Sequence, residues 1–262
     1  KYKKEIDKRL HLFFKGKIKE LESISPLAGN MAGEIRNFTM SDGKRIRPIL
    51  VCWGYLAAGG KNKKAILDIC IFVELVHSYL LIHDDIIDRD QIRRGKPTVH
   101  CQYRENYKEL SKESEHLGLC GGILAGDLAS VFSYEILTQS NFRSELKIKA
   151  IKRLNQVLED VISGQTLDVF LGMGRQLAKK DIFKILEYKT AHYTIGGPLQ
   201  IGAVLAGANK KTLRMLSQYA LPLGIAFQLK DDILGMFGSP KSTGKAIGAD
   251  IKEGKQTLLI LE

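Results

Sequence analysis

The sequence predicts an all-α fold, and three observations carry that expectation. Apolar residues recur at helical spacing along most of the chain, and alternating strand patterns are scarce. Leu, Ile, Ala, Lys and Glu dominate the composition, with only 6 prolines. Helices are expected over residues 3–22, 29–39, 46–58, 63–89, 117–139, 145–170, 181–206 and 211–236. Breaks fall at Ser25-Pro26, Gly59-Gly60, Gly95-Lys96-Pro97, Gly172 and Gly238-Ser239-Pro240, with a polar hinge at Asn209-Lys210-Lys211. No internal repeat or low-complexity tract is visible, so residues 1–262 read as a single domain.

The bulk numbers narrow the function classes. The chain has 262 residues, 44% hydrophobic and 26% charged, as an ordinary globular protein does. Its formal net charge is +11, which suits nucleic acid, an anionic surface or a polyanionic small substrate. Much of the excess is scattered lysine, as at Lys1, Lys3, Lys4, Lys15, Lys17 and Lys19, which reads as solvated surface. The apolar stretch at 67–87 carries Glu74, His77, Asp84 and Asp85, a charge density that argues against a membrane span. Cys52, Cys70, Cys101 and Cys120 form no CxxC pair and lie near no clustered histidines. They read as free thiols in a reducing compartment, the cytoplasm. The chain opens KYKKEID without Met and shows no signal peptide.

Two helices that are apolar on almost every face, 67–83 and 219–234, each end in acids. Charge at the end of a buried helix implies a polar cavity. In the first, Asp84 and Asp88 stand at i and i+4 on one face, with Asp85 turned about 100° away. Like charges this close need a counterion. Magnesium suits them, because it takes one or two carboxylates and completes its shell with water and phosphate oxygens. The second helix closes with Asp231 and Asp232. A lone DDxxD is common by chance; the matched context of apolar helix then Asp-Asp is not.

Cations accompany the acids. GKRIRP at 43–48 supplies Lys44, Arg45 and Arg47, and RRGKPT at 93–98 supplies Arg93 and Arg94 only five residues after Asp88. Guanidinium forks match phosphate oxygens. Lys189, Lys245 and Lys255 add cations near helix ends or loops, and His77 precedes Asp84 by two turns on the same helix.

Taken in order, GKRIRP at 43–48, HSYLLIHDDIID at 77–88, RRGKPT at 93–98, GQTLD at 164–168, KTA at 189–191, FQLKDDILG at 227–235 and GK at 244–245 strongly resemble the trans-isoprenyl diphosphate synthases, or polyprenyl synthetases. The match covers nearly the whole chain. The resemblance implies an isoprenoid synthase-type helical bundle around a deep central cavity, usually as a homodimer. It implies that Asp84, Asp85 and Asp88, with Asp231 and Asp232, bind three magnesium ions and an allylic diphosphate. Arg93, Lys189, Gln228 and Lys245 resemble the residues that hold that diphosphate. Lys44, Arg47, His77 and Arg94 resemble the isopentenyl diphosphate site, and Thr190 the residue that shields the allylic cation. The implied reaction is head-to-tail prenyl transfer, with isopentenyl and allylic diphosphates as partners and no nucleic acid.

Tyr79 lies five residues before Asp84, roughly 7.5 Å up the helix. In this family a bulky residue near that position acts as a floor to the product. With a DDIID motif lacking two extra residues, it resembles the geranylgeranyl type, so a C20 product is expected, with C15 the alternative. Gly235 stands where many relatives carry a third aspartate, and the chain stops at Glu262 where relatives continue with further helices. The early stop is expected to leave the domain without its C-terminal helices, and Gly235 alone hints at a second alternative, a non-catalytic partner subunit. A terpene cyclase would leave RRGKPT without a purpose, and a nucleic-acid binder would leave both Asp pairs unexplained.

Overall fold

The computed structural model describes residues 1–41, 43–171, 177–238 and 257–261. The described residues are helical almost throughout, and the chain forms two compact units. The first comprises Lys1–Ile49 and Leu67–Asn141; the second comprises Leu50–Ile66 and Phe142–Glu262.

The first unit begins with α1 (Tyr2–Glu22) and α2 (Pro26–Met40). Ser25, extended at φ −164°, caps α2 by accepting from the Ala28 N–H at 3.1 Å, and Pro26 occupies the first helical position. The expected break at Ser25-Pro26 is therefore a helix start, and α2 begins three residues before the expected 29. α1 buries Ile6, Leu10 and Phe14, spaced at i+4 along one stripe. Phe13 and Phe14 meet Phe132 edge-on, with ring centroids 5.6 and 6.5 Å away.

The stretch expected as one helix over 63–89 is two: α4 (Lys63–Ile69) and α5 (Phe72–Ile87), parted by a turn at Cys70 and Ile71. No Gly or Pro marks this break. α5 is the buried helix anticipated from the sequence, with Phe72, Val73, Leu75, Val76 and Ile82 in the core. After it comes a hairpin missed by pattern reading, β1 (Ile92–Arg93) with β2 (Lys96–Pro97), in register Arg93 to Lys96. Its two central residues, Arg94 at φ 53° and Gly95 at φ 73°, are both left-handed, as a two-residue primed turn requires. α6 (Val99–Tyr107) was also missed, because its sequence VHCQYRENY is too polar to show an apolar stripe. α7 (Ser114–Gln139) packs against both α5 and α6. Gly126 admits α5, since a Cβ there would stand 2.3 Å from the His83 ring.

The second unit takes in most of α3 (Ile46–Ala57), then α8 (Ser144–Leu171), α9 (Lys179–Ile185), α10 (Gly197–Leu205), α11 (Lys210–Phe237) and the short α12 (Leu258–Leu261). Between α9 and α10 lies an 11-residue π-helix, Leu186–Gly196. The single helix expected over 181–206 is thus three segments with different backbone registers. α8 and α11 both pack on the π-helix. Leu177, Ile182, Ile185 and Leu186 form a local core. α11 departs from the expectation of a buried helix: only Ala220, Gly224 and Asp232 are buried, and Tyr219, Leu223 and Ile233 are exposed. Its apolar residues circle the helix, but only its small-residue side is packed.

Cys52, Cys70 and Cys101 are buried and Cys120 is half-buried, and none of them forms a disulfide. Two stretches, Lys63–Ile87 and Ser114–Gln139, are long and apolar enough to cross a bilayer by length and composition. The first is 61% buried inside the protein, which marks a core helix.

Candidate active site

The first unit brings the first acidic motif and most of the expected cations together. α5 ends at Ile87 with Asp88 as its C-cap, so Asp84, Asp85 and Asp88 occupy its last turn. Asp85 is completely buried, while Asp84 and Asp88 are half-buried. Arg93, carried back by the hairpin, donates from Nε to Asp85 Oδ1 at 2.5 Å and from Nη2 to Asp90 Oδ2 at 3.4 Å. Asp84 Oδ2 lies 3.8 Å from the same nitrogen. Burial pushes the Asp85 carboxyl up to about 7; Arg93 pulls against this, and Asp90 and Asp84 add to it.

The other oxygen, Asp85 Oδ2, is buried with no hydrogen-bond partner. An orphaned carboxylate oxygen among further carboxylates fits a divalent cation. Among the described residues no three Asp, Glu, His or Cys side chains converge on one point at ligating distance. Magnesium does not need three, because water and phosphate oxygens fill the rest of its shell.

Cations gather behind this acidic end. Arg94 donates from Nη1 to the Ser41 carbonyl at 3.1 Å and reaches its hydroxyl at 3.2 Å. Lys44 is exposed and Arg47 half-buried, while Arg45 between them turns inward. Arg45 is 3% exposed and left-handed at φ 55°. It is held by Asp7 and Glu74, both at 2.7 Å, and by the Thr39 carbonyl at 2.8 Å. That triple anchorage fixes a strained backbone from which Lys44 and Arg47 project. Burial, then Arg47, Arg94 and Arg93 in that order, hold the His77 imidazole well below its usual pKa. The neutral form of His77 is therefore favoured by the guanidinium groups near it.

Tyr79 is half-buried one helical turn before His83, and the two rings meet edge-on at 5.1 Å. Burial and the charge of Asp127 raise the Tyr79 hydroxyl. His83 Nε2 lies 3.1 Å from the Ile123 carbonyl of α7.

The second unit assembles the other expected residues. Lys189 and Thr190 lie on the π-helix. Lys189 Nζ donates to Asp168 Oδ2 of α8 at 2.6 Å. Thr190 Oγ1 donates to Gln228 Oε1 at 3.0 Å, and Gln228 Nε2 donates to Asp232 Oδ1 at 2.8 Å. Asp232 is 9% exposed; Asp231 is on the exposed side of α11. Lys245 and Lys255 lie outside the described residues, as does the GK pair at 244–245.

Pattern reading passed over three participants. Asp168 and Gln165 both lie in the GQTLD run without having been given a role, and both amide atoms of Gln165 are buried without a hydrogen-bond partner. Asp90, two residues beyond Asp88, joins the Arg93 network.

Comparison with known proteins identifies the family and the fold. The family described as Polyprenyl synthetase matches residues 30–262. A geranylgeranyl diphosphate synthase of Sulfolobus acidocaldarius is 35% identical over 85% of this chain and 63% of its own length. One of Methanosarcina mazei is 34% identical over 84% of this chain and 63% of its own length. The chain thus spans less than two thirds of these curated relatives. A crystal structure of geranylgeranyl pyrophosphate synthase from Corynebacterium glutamicum, complexed with isoprenyl diphosphate and magnesium, superposes with a TM-score of 0.93 at 36% identity. The superposition covers 99% of this chain and 74% of that one.

Proposed function

The chain belongs to the polyprenyl synthetase family, and from that premise we propose that it condenses isopentenyl diphosphate head to tail with an allylic diphosphate, giving a C20 product. The observation that carries this reading is the acidic end of α5 in the first unit, where buried Asp85 is bonded to Arg93 through one oxygen and has no hydrogen-bond partner on the other. The names of the relatives support the product length, and the bulk of Tyr79, at the position where this family carries a floor, is consistent with it.

Asp84, Asp85, Asp88, Asp231 and Asp232 would hold magnesium, three ions in all. When bound, that metal neutralises charge growing on the departing diphosphate. Arg93, Lys189 and Gln228 steady the allylic diphosphate, joined by Lys245 and Lys255. Lys44, Arg47, His77 and Arg94 hold isopentenyl diphosphate by its phosphates. The carbon–oxygen bond of the allylic partner breaks, and the isopentenyl double bond attacks the resulting carbocation. A proton then leaves to the departing diphosphate. Preplaced cations lower the barrier because they need no reorganisation as the leaving group's charge develops. Thr190, whose hydroxyl hydrogen is committed to Gln228, keeps oxygen lone pairs available to the cation.

The protein is further proposed to act in the cytoplasm as a homodimer. Leu119, Ile123, Leu124 and Val131 are exposed on one face of α7, a helix without Lys or Arg, which supports a self-complementary contact.

The test is turnover. Purified protein with magnesium, isopentenyl diphosphate and dimethylallyl, geranyl or farnesyl diphosphate is expected to yield a C20 product by mass spectrometry. Asp84→Ala is expected to abolish it. Arrest at C15 would keep the chemistry and move the floor. A folded protein inactive on every primer would sink the catalytic reading for this chain, in favour of a non-catalytic partner subunit or of a chain that lacks C-terminal helices the reaction needs.

A further inference from the structure

Among the described contacts, two side-chain bonds tie the π-helix that carries Lys189 and Thr190 to α8, and one of them involves no residue assigned to substrate. π-Helices are rare and mostly single-turn insertions, so an 11-residue example needs tertiary support. α8 supplies it along a single face. Asp160, Gly164 and Asp168 are spaced at i, i+4 and i+8, and so lie one above another on that face. Asp168 takes the Lys189 ammonium. Gly164 lets the backbones meet, since a Cβ there would stand 2.3 Å from the Lys189 amide nitrogen. Asp160 Oδ2 lies 2.9 Å from His192 Nδ1. An ionised carboxylate only accepts, so Nδ1 carries the hydrogen.

His192 is fixed on its other sides as well. The Tyr188 ring meets it edge-on at 5.2 Å, and Glu187 Oε1 lies 3.5 Å from its Nε2. Glu187, Tyr188 and His192 all belong to the π-helix, so the ring gathers its own segment before tying it to α8. Arg153, one α8 residue whose charge acts on Asp160, lies two turns earlier. Lys189 is three residues before His192 and Thr190 two. A slip from i+5 to i+4 pairing would rotate both relative to the anchored ring.

We infer that Asp160 and His192 are a positioning pair that locks the π-register, and through it the placement of Lys189 and Thr190 toward the allylic diphosphate. This rests on the proposed function for its consequence, though not for its structural content. Neither residue touches substrate. The bond acts through the backbone of the segment it fastens.

The experiment compares wild type with Asp160→Ala, His192→Ala, the double variant and His192→Asn, whose side-chain amide keeps a donor near the position of Nδ1. Each alanine variant is expected to raise KM for the allylic substrate about 10- to 100-fold, a cost typical of misplaced binding groups, with KM for isopentenyl diphosphate little changed. The double variant is expected to match the worse single variant, because both remove one bond. His192→Asn is expected to recover most of the loss. Amide hydrogen exchange supplies a readout independent of turnover: protection should fall at 189–196 in the alanine variants and return in His192→Asn. Titration of magnesium and inorganic pyrophosphate by calorimetry should weaken in parallel. Unchanged protection and pyrophosphate affinity would overturn the inference even if the enzyme is active. Additive losses, or equal rises in both KM values, would also overturn it. A wild type without turnover, whose exchange and pyrophosphate binding still respond to the substitutions, would overturn the proposed reaction and leave the positioning pair standing.

Discussion

Arg93 Nε and Asp85 Oδ1 stand 2.5 Å apart, the tightest charged contact at the acidic end of α5, and Asp85 is completely buried. The partner oxygen of the same carboxylate has no bond. One half of Asp85 is thus satisfied by the hairpin and the other half is left for a cation. Removing Arg93 strands a buried charge. Arg93→Ala is expected to lower stability by about 3 kcal/mol, and Arg93→Ala with Asp85→Ala by less, because the stranded charge is gone. Magnesium is expected to raise the melting temperature of Arg93→Ala more than that of wild type. Thermal melts with and without the ion decide this, and equal shifts would separate Asp85 from metal binding.

His77 gives the stability a pH dependence of definite sign. Its folded pKa is depressed by burial and by Arg47, Arg94 and Arg93. The unfolded chain therefore takes up a proton before the folded one does. The contribution is present above the ordinary histidine pKa of about 6.5 and is lost as pH falls below it. Asp85, raised to about 7, acts in the opposite sense over the same range, so the readout is a difference between proteins. From pH 8 to pH 5 wild type is expected to lose more melting temperature, or gain less, than His77→Asn, and parallel curves would overturn the assignment.

The Thr190–Gln228–Asp232 chain predicts a catalytic effect without a large stability effect. Gln228→Leu removes both of its bonds while keeping similar volume. Loss of these oriented groups is expected to reduce kcat about 10²-fold. Gln228→Glu keeps an acceptor for Thr190 and places a second carboxylate beside Asp232. It is expected to be impaired most at low magnesium. Steady-state kinetics across magnesium concentration test both.

Tyr79 predicts product length. Its ring is wedged against His83 beside α7, so shortening it opens space along α5. Tyr79→Ala is expected to shift product beyond C20 with turnover retained. A product unchanged in length by mass spectrometry would make Tyr79 a packing residue only.

The acidic motifs and their cations were legible because the chemistry that needs them is local in sequence. DDIID places its carboxylates by helical repeat alone, and RRGKPT follows closely enough to fold back by one short hairpin. The long helices were legible for a similar reason, since their apolar residues repeat at 3.6. The turn at Cys70-Ile71 was not legible, because neither residue breaks a helix by propensity. α6 was hidden by its polarity.

What the sequence by itself determined is the all-α class and the acidic end of α5, and each follows from periodicity and residue type. Asp231 and Asp232 lie within α11, which continues to Phe237. Tertiary structure alone decided which of these groups bond to one another. Eleven residues are too few for periodicity to tell a π-helix from an α-helix, so the register of Leu186–Gly196 is settled by contacts. Asp160 and Asp168 supply them from α8, and Gln228 from α11. The inward turn of Arg45 is likewise invisible among three neighbouring cations. It takes Asp7 from α1 and Glu74 from α5 to bury Arg45 almost completely, while Lys44 stays exposed and Arg47 half-buried. Long-range pairing between residues distant in the chain is an energy that no local pattern encodes.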